Sequence, residues 1–321
     1  MRRQRGFTLV ESLVAVGLSL ILMAGLIQLF AGSKRNFNLQ EDLGGIQENG
    51  RFAVRHLQTA LQMAGHWGGQ REGVDDAIGG VLSGIGDCDQ AWLTAVDEPV
   101  RGYEGAADIA SVTDLPANCI PASHYVPDSD LVVVRYGRGD RPVATADLGL
   151  PANASRVFVR AAAGLGAALI QGEDGPPDDL PDEDGTYNYP YEVALYFLRP
   201  CLDATATACK DNVRSLARLR LDGDTLVEEA LVGGIEQMQI QYGSDLDQDG
   251  VVDVYQTADA VDNWNEVLDV RLGLIVAGRT DDAGMEDTDS YSLPGFVHSV
   301  PTDRRRLHRK SFNQLVRLRN R

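Results

Sequence analysis

From Phe7 to Ala31 the chain carries no proline, lysine or arginine, and Glu11 is the one charged side chain. At about 1.5 Å per residue such a run is long enough to cross a hydrocarbon core of roughly 30 Å, so the pattern predicts a membrane-spanning helix. The period then changes without a break. Ile46, Gly50, Ala53, Leu57, Leu61 and Ala64 recur at steps of three and four, which lays a narrow apolar stripe on one face of a continuing helix. Gly44, Gly45 and Gly50 weaken that helix locally, and Gly65, followed by His66-Trp67-Gly68-Gly69, stops it. The prediction is one helix with a membrane half, 7–31, and an amphipathic half, 32–65, whose stripe needs a sheet to cover it.

The remainder reads as strands separated by irregular chain. Residues 66–190 are rich in Gly, Pro, Asp and Ala and form an irregular, variable segment with short strands at LVVVRYG, after Asp130, and at Arg156-Val157-Phe158-Val159-Arg160. Gly172 to Gly185 reads GEDGPPDDLPDEDG and is expected to be a solvated loop. In 191–321 the strand signals become regular. YEVALYFLRPC is one strand; LARLRL, from Leu216 to Leu221, is turned back by Asp222-Gly223-Asp224 as a hairpin; IEQMQIQYG places Ile235, Met238 and Ile240 inward imperfectly; VLDVRLGLIVAG alternates cleanly. The end, DRRRLHRKSFNQLVRLRNR, is basic, and its inner residues Phe312, Leu315, Val316 and Leu318 suggest a last strand docked on the sheet. The fold class is α+β: a long N-terminal helix packed on a mainly antiparallel sheet of four or five strands.

Charge sets orientation and excludes some partners. Arg2, Arg3 and Arg5 precede the apolar run and hold that end on the cytoplasmic side, leaving the bulk of the chain outside. The small residue Gly6 stands before the apolar run, where an ordinary secretory signal has its small-residue cleavage site after it. Cutting there removes the basic leader, 1–6, and exposes Phe7 as a new N-terminus. The net charge is −18, and loss of the three leader arginines takes it to −21, which argues against nucleic acid as a partner. Glu11 is costly in an apolar helix and calls for a counter-charge, which a free Phe7 amine offers, either its own, about one turn away, or that of an adjacent subunit in a helical assembly.

Cys88, Cys119, Cys201 and Cys209 all follow the apolar run. In an oxidising periplasm an even number is read as two disulfides; sequential pairing gives Cys88–Cys119 and Cys201–Cys209, with the connectivity left open. One loop carries metal-type spacing: Asp245, Asp247 and Asp249 at alternate positions, Gly250 for a sharp turn, the Val251 carbonyl, then Asp253. Hard oxygen donors in that number suit Ca²⁺ in a structural role, although Gln256 stands where a full EF-hand has its bidentate Glu. His56, His66, His124, His298 and His308 are scattered, with His56 expected on the solvated side of the helix. No nucleophile elbow or zinc pair is present, so an enzyme is not expected.

Gly6-Phe7-Thr8-Leu9-Val10-Glu11-Ser12-Leu13 resembles the processing motif of type IV prepilins and pseudopilins. The resemblance implies a pilin-like fold, cleavage after Gly6 by prepilin peptidase, methylation of the Phe7 amine and a role for Glu11 in subunit assembly. Trp264 before VLDVRLGLIV, Tyr242-Gly243 before the Asp-rich loop, and the basic ending resemble PilW-type minor pilins over roughly residues 190–321. That family implies a structural subunit, inserted once in the inner membrane with its soluble domain in the periplasm and later borne on the pilus at the cell surface. It takes part in priming type IV pilus assembly near the filament tip, with other minor pilins, the major pilin and the inner-membrane assembly machinery as partners. Two other readings share these features: a type II secretion pseudopilin, and a pilus-borne adhesin or ligand-binding module using the variable segment.

Overall fold

The computed structural model describes residues 8–70, 74–205 and 208–320, so the leader, with the cleavage and methylation positions Gly6 and Phe7, lies outside the described residues. Contacts divide the chain into two units, one ending at Gly45 and one running Ile46–Arg321. A single helix, α1 (Leu9–Met63), enters both. In the first unit its apolar side chains, Leu9 through Phe30, are exposed, and the window is long and apolar enough to cross a membrane. Its start is a capping box, spelled by Thr8 and Glu11 three residues apart. The Thr8 N–H and hydroxyl both donate to Glu11 Oε2 at 3.0 Å, and the Glu11 N–H donates to Thr8 Oγ1 at 3.3 Å, satisfying donors that the first turn leaves free.

In the second unit α1 buries the expected stripe: Ile46, Gly50, Ala53, Leu57 and Leu61, joined by Ala60. Fourteen strands follow among the described residues. An eight-stranded sheet holds β1 (Val74–Asp76), β2 (Val100–Tyr103), β3 (Leu131–Gly137), β4 (Val157–Ala162), β5 (Gly166–Gln171), β6 (Thr186–Arg199), β7 (Ser215–Asp222) and β8 (Thr225–Gly233). A short helix, α2 (Gln90–Leu93), lies between β1 and β2 in sequence. A second sheet of order β10-β9-β11-β14 holds β9 (Ile235–Ser244), β10 (Val254–Gln256), β11 (Val267–Ala277) and β14 (Arg309–Arg317), and β12 (Ser290–Leu293) pairs with β13 (Phe296–Ser299) as a hairpin.

Two sheets replace the single four- or five-stranded sheet expected, and the reason is β6. It pairs with β3 along one edge and with β4, then β7, along the other, so strands from 66–190 join those from 191–321 and the boundary at 190/191 falls inside a strand. Both of its faces are covered. Ala194, Tyr196 and Leu198 pack with the α1 stripe, while Val193, Leu195 and Phe197 face a second core closed by the Cys88–Cys119 segment. Dual burial is why LVVVRYG and VALYFL read as unbroken apolar runs. The segment 66–129 is also more built than its composition implied: fully buried Arg135 reaches into it and donates to the carbonyls of Glu98 and Trp92, both at 2.7 Å. The second sheet completes the core with Ile235, Met238, Ile240, Val270, Leu272 and Val316.

The imperfect alternation in IEQMQIQYG has a cause. The β9–β11 register shifts between Ile275/Gln237 and Val276/Ile235, a bulge that lets Ile235 and the even-numbered Met238, Ile240 and Tyr242 share one core. The hairpin at LARLRL is present as β7 and β8, with Gly223 at φ +69 in its turn. Leu315, expected inward, is 53% exposed, because on β14 the even-numbered Phe312 and Val316 face the core.

Candidate assembly and cation sites

The basic ending builds the far side of the α1 spine. β14 pairs with β11 from Arg317 to Arg309, and the Phe312 ring lies on Gly50 of α1, so close that a Cβ there would overlap it. Gly65, at φ +74, ends the helix and passes its N–H to the Arg135 carbonyl at 3.0 Å. The last carbonyls of α1 are met from the other end of the chain: Asn320 Nδ2 donates to Gln62, Met63 and Ala64 at 3.2, 3.3 and 3.0 Å. No local signal announces this cap, since its two halves lie 256 residues apart or more.

A buried ionic knot fixes the start of β14. Glu236, beside the β9 bulge, is fully buried, and its carboxylate accepts from Arg309 Nε at 2.9 Å and Nη2 at 3.1 Å, with Arg304 at 3.4 Å. Arg309 Nη1 turns to Asp287 at 3.0 Å. Burial opposes ionisation of Glu236, but Arg309, Arg304 and the His298 imidazole, 3.9 Å away, outweigh it and hold the carboxyl down at about 2. The basic run gives no local sign that Arg304 and Arg309 are buried against an acid.

The Asp-rich loop joins β9 to β10, which pair as neighbours, so the loop is the end of a hairpin with no entering helix. Asp245, Asp247 and Asp253 present carboxylate oxygens within 4.8 Å of one another. Asp245 is almost wholly buried and is held in place by the N–H groups of Asp249 at 3.1 Å and Gly250 at 2.8 Å, with Gln248 and Gly250 at φ +62 and +87 making the turn. Asp249, expected as a fourth carboxylate ligand, stands outside this cluster: its Oδ1 accepts the Val251 N–H at 2.8 Å, which makes it a turn former. The Asp249 N–H lowers the Asp247 pKa, but the charges of Asp249, Asp253 and Asp245 raise it to a net value above the ordinary one. Three hard oxygens sharing one small space repel each other, and a divalent cation relieves that repulsion, so the donor set fits Ca²⁺. Arg317 of β14 donates to the Gly250 carbonyl at 3.0 Å.

His56 departs from its expected place. It lies half-buried, its Nε2 is 3.2 Å from the Tyr196 hydroxyl, and Phe52 stacks on it. Burial and then the Arg218 charge lower its pKa. With Met63, Tyr136, Arg156 and Glu192 it lines a groove of about 840 Å³ beside α1. The disulfides are Cys88–Cys119 and Cys201–Cys209, the sequential pairing.

Two protein families match the chain, one at each end. Residues 1–27 match the prokaryotic N-terminal methylation motif, and residues 204–320, a little over a third of the chain, match type IV pilus-assembly protein W. No curated protein sequence matches. Among solved structures a type IV-like pilin from Thermus thermophilus aligns over 88% of this chain and 96% of its own, at 11% identity and TM-score 0.35, a level at which residues cannot be equated. The PilW match contains the Asp-rich loop, Trp264, β11 and β14; the methylation motif contains Thr8 and Glu11. The chain is thus similar to type IV pilus-assembly protein W over its last third and to the N-terminal methylation motif over its first 27 residues, and the first of these regions supplies the cap of the helix that begins in the second.

Proposed function

We propose that the chain is a structural subunit that helps prime type IV pilus assembly and resides at or near the filament tip with other minor pilins. The observation that carries this is the shared architecture of α1: a helix apolar enough for a membrane runs on into the spine of a head, where the PilW-matching end seats β14 on Gly50 and closes the helix with Asn320. In this reading prepilin peptidase cuts after Gly6, and the subunit waits as a single-pass inner-membrane protein with its head in the periplasm. As the helices leave the bilayer, Glu11 pairs with the Phe7 amine of a neighbouring subunit. Thr8 occupies only Oε2 of Glu11, and Oε1 has no partner among the described residues, which leaves the acid able to take a second cation.

Gly6→Ala and Glu11→Ala, introduced in the native strain, test it. Gly6→Ala accumulates uncut precursor; Glu11→Ala is cut normally yet fails to enter filaments, whose number falls, with protein secretion unchanged. Normal filaments with lost secretion would transfer the chain to the type II secretion pseudopilins.

The Asp245, Asp247 and Asp253 cluster is assigned a structural Ca²⁺, tying β9 to β10 and discharging repulsion in an acidic head. Adding the ion at 100 times its dissociation constant stabilises the folded state by about 3 kcal/mol. A chelator therefore lowers the thermal midpoint of the full chain, and Asp245→Asn removes the response to both chelator and ion. An unmoved midpoint in the unaltered chain would overturn the assignment.

A further inference from the structure

The free edge of β14 is open to another polypeptide. In the β11–β14 ladder the Gly278 N–H bonds the His308 carbonyl at 2.8 Å and the Leu318 N–H bonds the Leu268 carbonyl at 2.9 Å. Both bonds belong to the register that opposes Ala277 to Arg309 and Asp269 to Arg317. In an antiparallel pair, hydrogen-bonded positions alternate, so the even-numbered residues of β14 turn their N–H and C=O toward β11. Those of Ser311, Asn313, Leu315 and Arg317 therefore turn outward. β14 ends the sheet and pairs with β11 alone, so the outward N–H groups have no strand to bond among the described residues.

This edge lacks most of the features that usually blunt one. β14 is nine residues long, contains no proline and runs without a register shift. What it does carry is charge of one sign: Lys310 and Arg317 are exposed on the strand, Arg306 and Arg319 flank it, and residues 304–320 hold no acid. That pattern disfavours a second copy of the same strand, since an antiparallel pairing centred on Asn313 and Gln314 sets Lys310 against Arg317. It suits a strand rich in carboxylates.

We infer that β14 receives an extended, acidic strand from another pilus subunit, which adds to the sheet through main-chain hydrogen bonds to Ser311, Asn313, Leu315 and Arg317. Affinity comes from the outward N–H groups and from the carbonyls of Ser311 and Asn313, the Leu315 carbonyl already accepting from Gln314 Nε2 at 2.8 Å, and selectivity from Lys310, Arg317 and Arg319. The inference rests on the assembly function proposed above for the identity of the partner, but the docking chemistry is a property of this strand alone.

The test uses the full chain in detergent and a labelled ten-residue peptide of alternating Glu and Val, read by fluorescence anisotropy. A second peptide of the same sequence, N-methylated at alternate residues, keeps the charge and loses the donors. The unaltered chain is expected to bind the first peptide and to bind the second at least about tenfold more weakly. Leu315→Pro deletes one outward N–H at an exposed position and leaves the β11 ladder intact, and it weakens binding similarly. The pair Lys310→Glu and Arg317→Glu shifts preference to a Lys and Val peptide. Equal binding of the two acidic peptides to the unaltered chain overturns the inference, as does their displacement by duplex DNA at lower concentration, and so does no binding at all. Should Leu315→Pro fail to fold, the methylated peptide still decides. Failure of the assembly reading shows elsewhere, as normal processing and filaments in the Gly6→Ala strain, and does not alter peptide binding.

Discussion

Glu236 and Arg309 are both fully buried, and neither is tolerable without the other. Removing one member of such a pair leaves an uncompensated charge, so Arg309→Ala is expected to cost about 3–5 kcal/mol of stability. Acid gives an independent readout. The Glu236 carboxyl falls from the ordinary 4.5 to about 2 on folding, so its contribution, about 3 kcal/mol, is present above pH 4.5 and is lost as the pH drops through 4.5 toward 2. The thermal midpoint of the unaltered chain should fall across that window, and Glu236→Gln should flatten this component of the fall. Gly50 makes a second residue-scale case. Alanine there gains helix propensity of about 1 kcal/mol but drives its methyl into Phe312. Gly50→Ala is expected to be destabilising by about 1–3 kcal/mol, and Phe312→Ala in the same chain should recover part of that loss, a coupling that denaturant titration of the two single variants and the double variant measures.

At the scale of elements, what the sequence disclosed depended on whether the partner was near in the chain. The α1 stripe was legible because a helix face is written in steps of three and four, and the β7–β8 hairpin because its turn lies between its strands. β14 was legible as a strand with Phe312, Val316 and Leu318 inward, but Leu315 is apolar and faces away from the core, and only the register against β11 settles that. The eight-stranded sheet was hidden because its strands are drawn from all along the chain between Val74 and Gly233, and doubly covered strands carry no alternation to read. Within the Asp-rich loop, spacing located the turn, and what it did not show is that Asp249 Oδ1 accepts the Val251 N–H there. Elements also differ in what holds them. The Cys88–Cys119 link closes a span of 31 residues in the segment over the second core, and replacing both with alanine should cost about 3–4 kcal/mol, visible as a lowered urea midpoint.

For the molecule as a whole, the two units differ in whether their apolar residues are covered. Up to Gly45 the apolar side chains have no protein neighbour to bury them, whereas Ile46–Arg321 contains every buried apolar residue among those described. A fragment starting at Ile46 is therefore expected to fold in plain buffer, with a cooperative thermal transition and no need of detergent, as calorimetry would show. The Asn320 cap adds a consequence in time. The helix is made long before the amide that finishes it, which follows Ala64 by 256 residues, and the strand that seats on Gly50 is made just before that amide. The head thus stays unfinished until Asn320 has been added, and a chain truncated by a stop codon at Arg319 would reach the cell envelope with its spine frayed, marked for proteolysis while siblings that carry the cap go on to assemble.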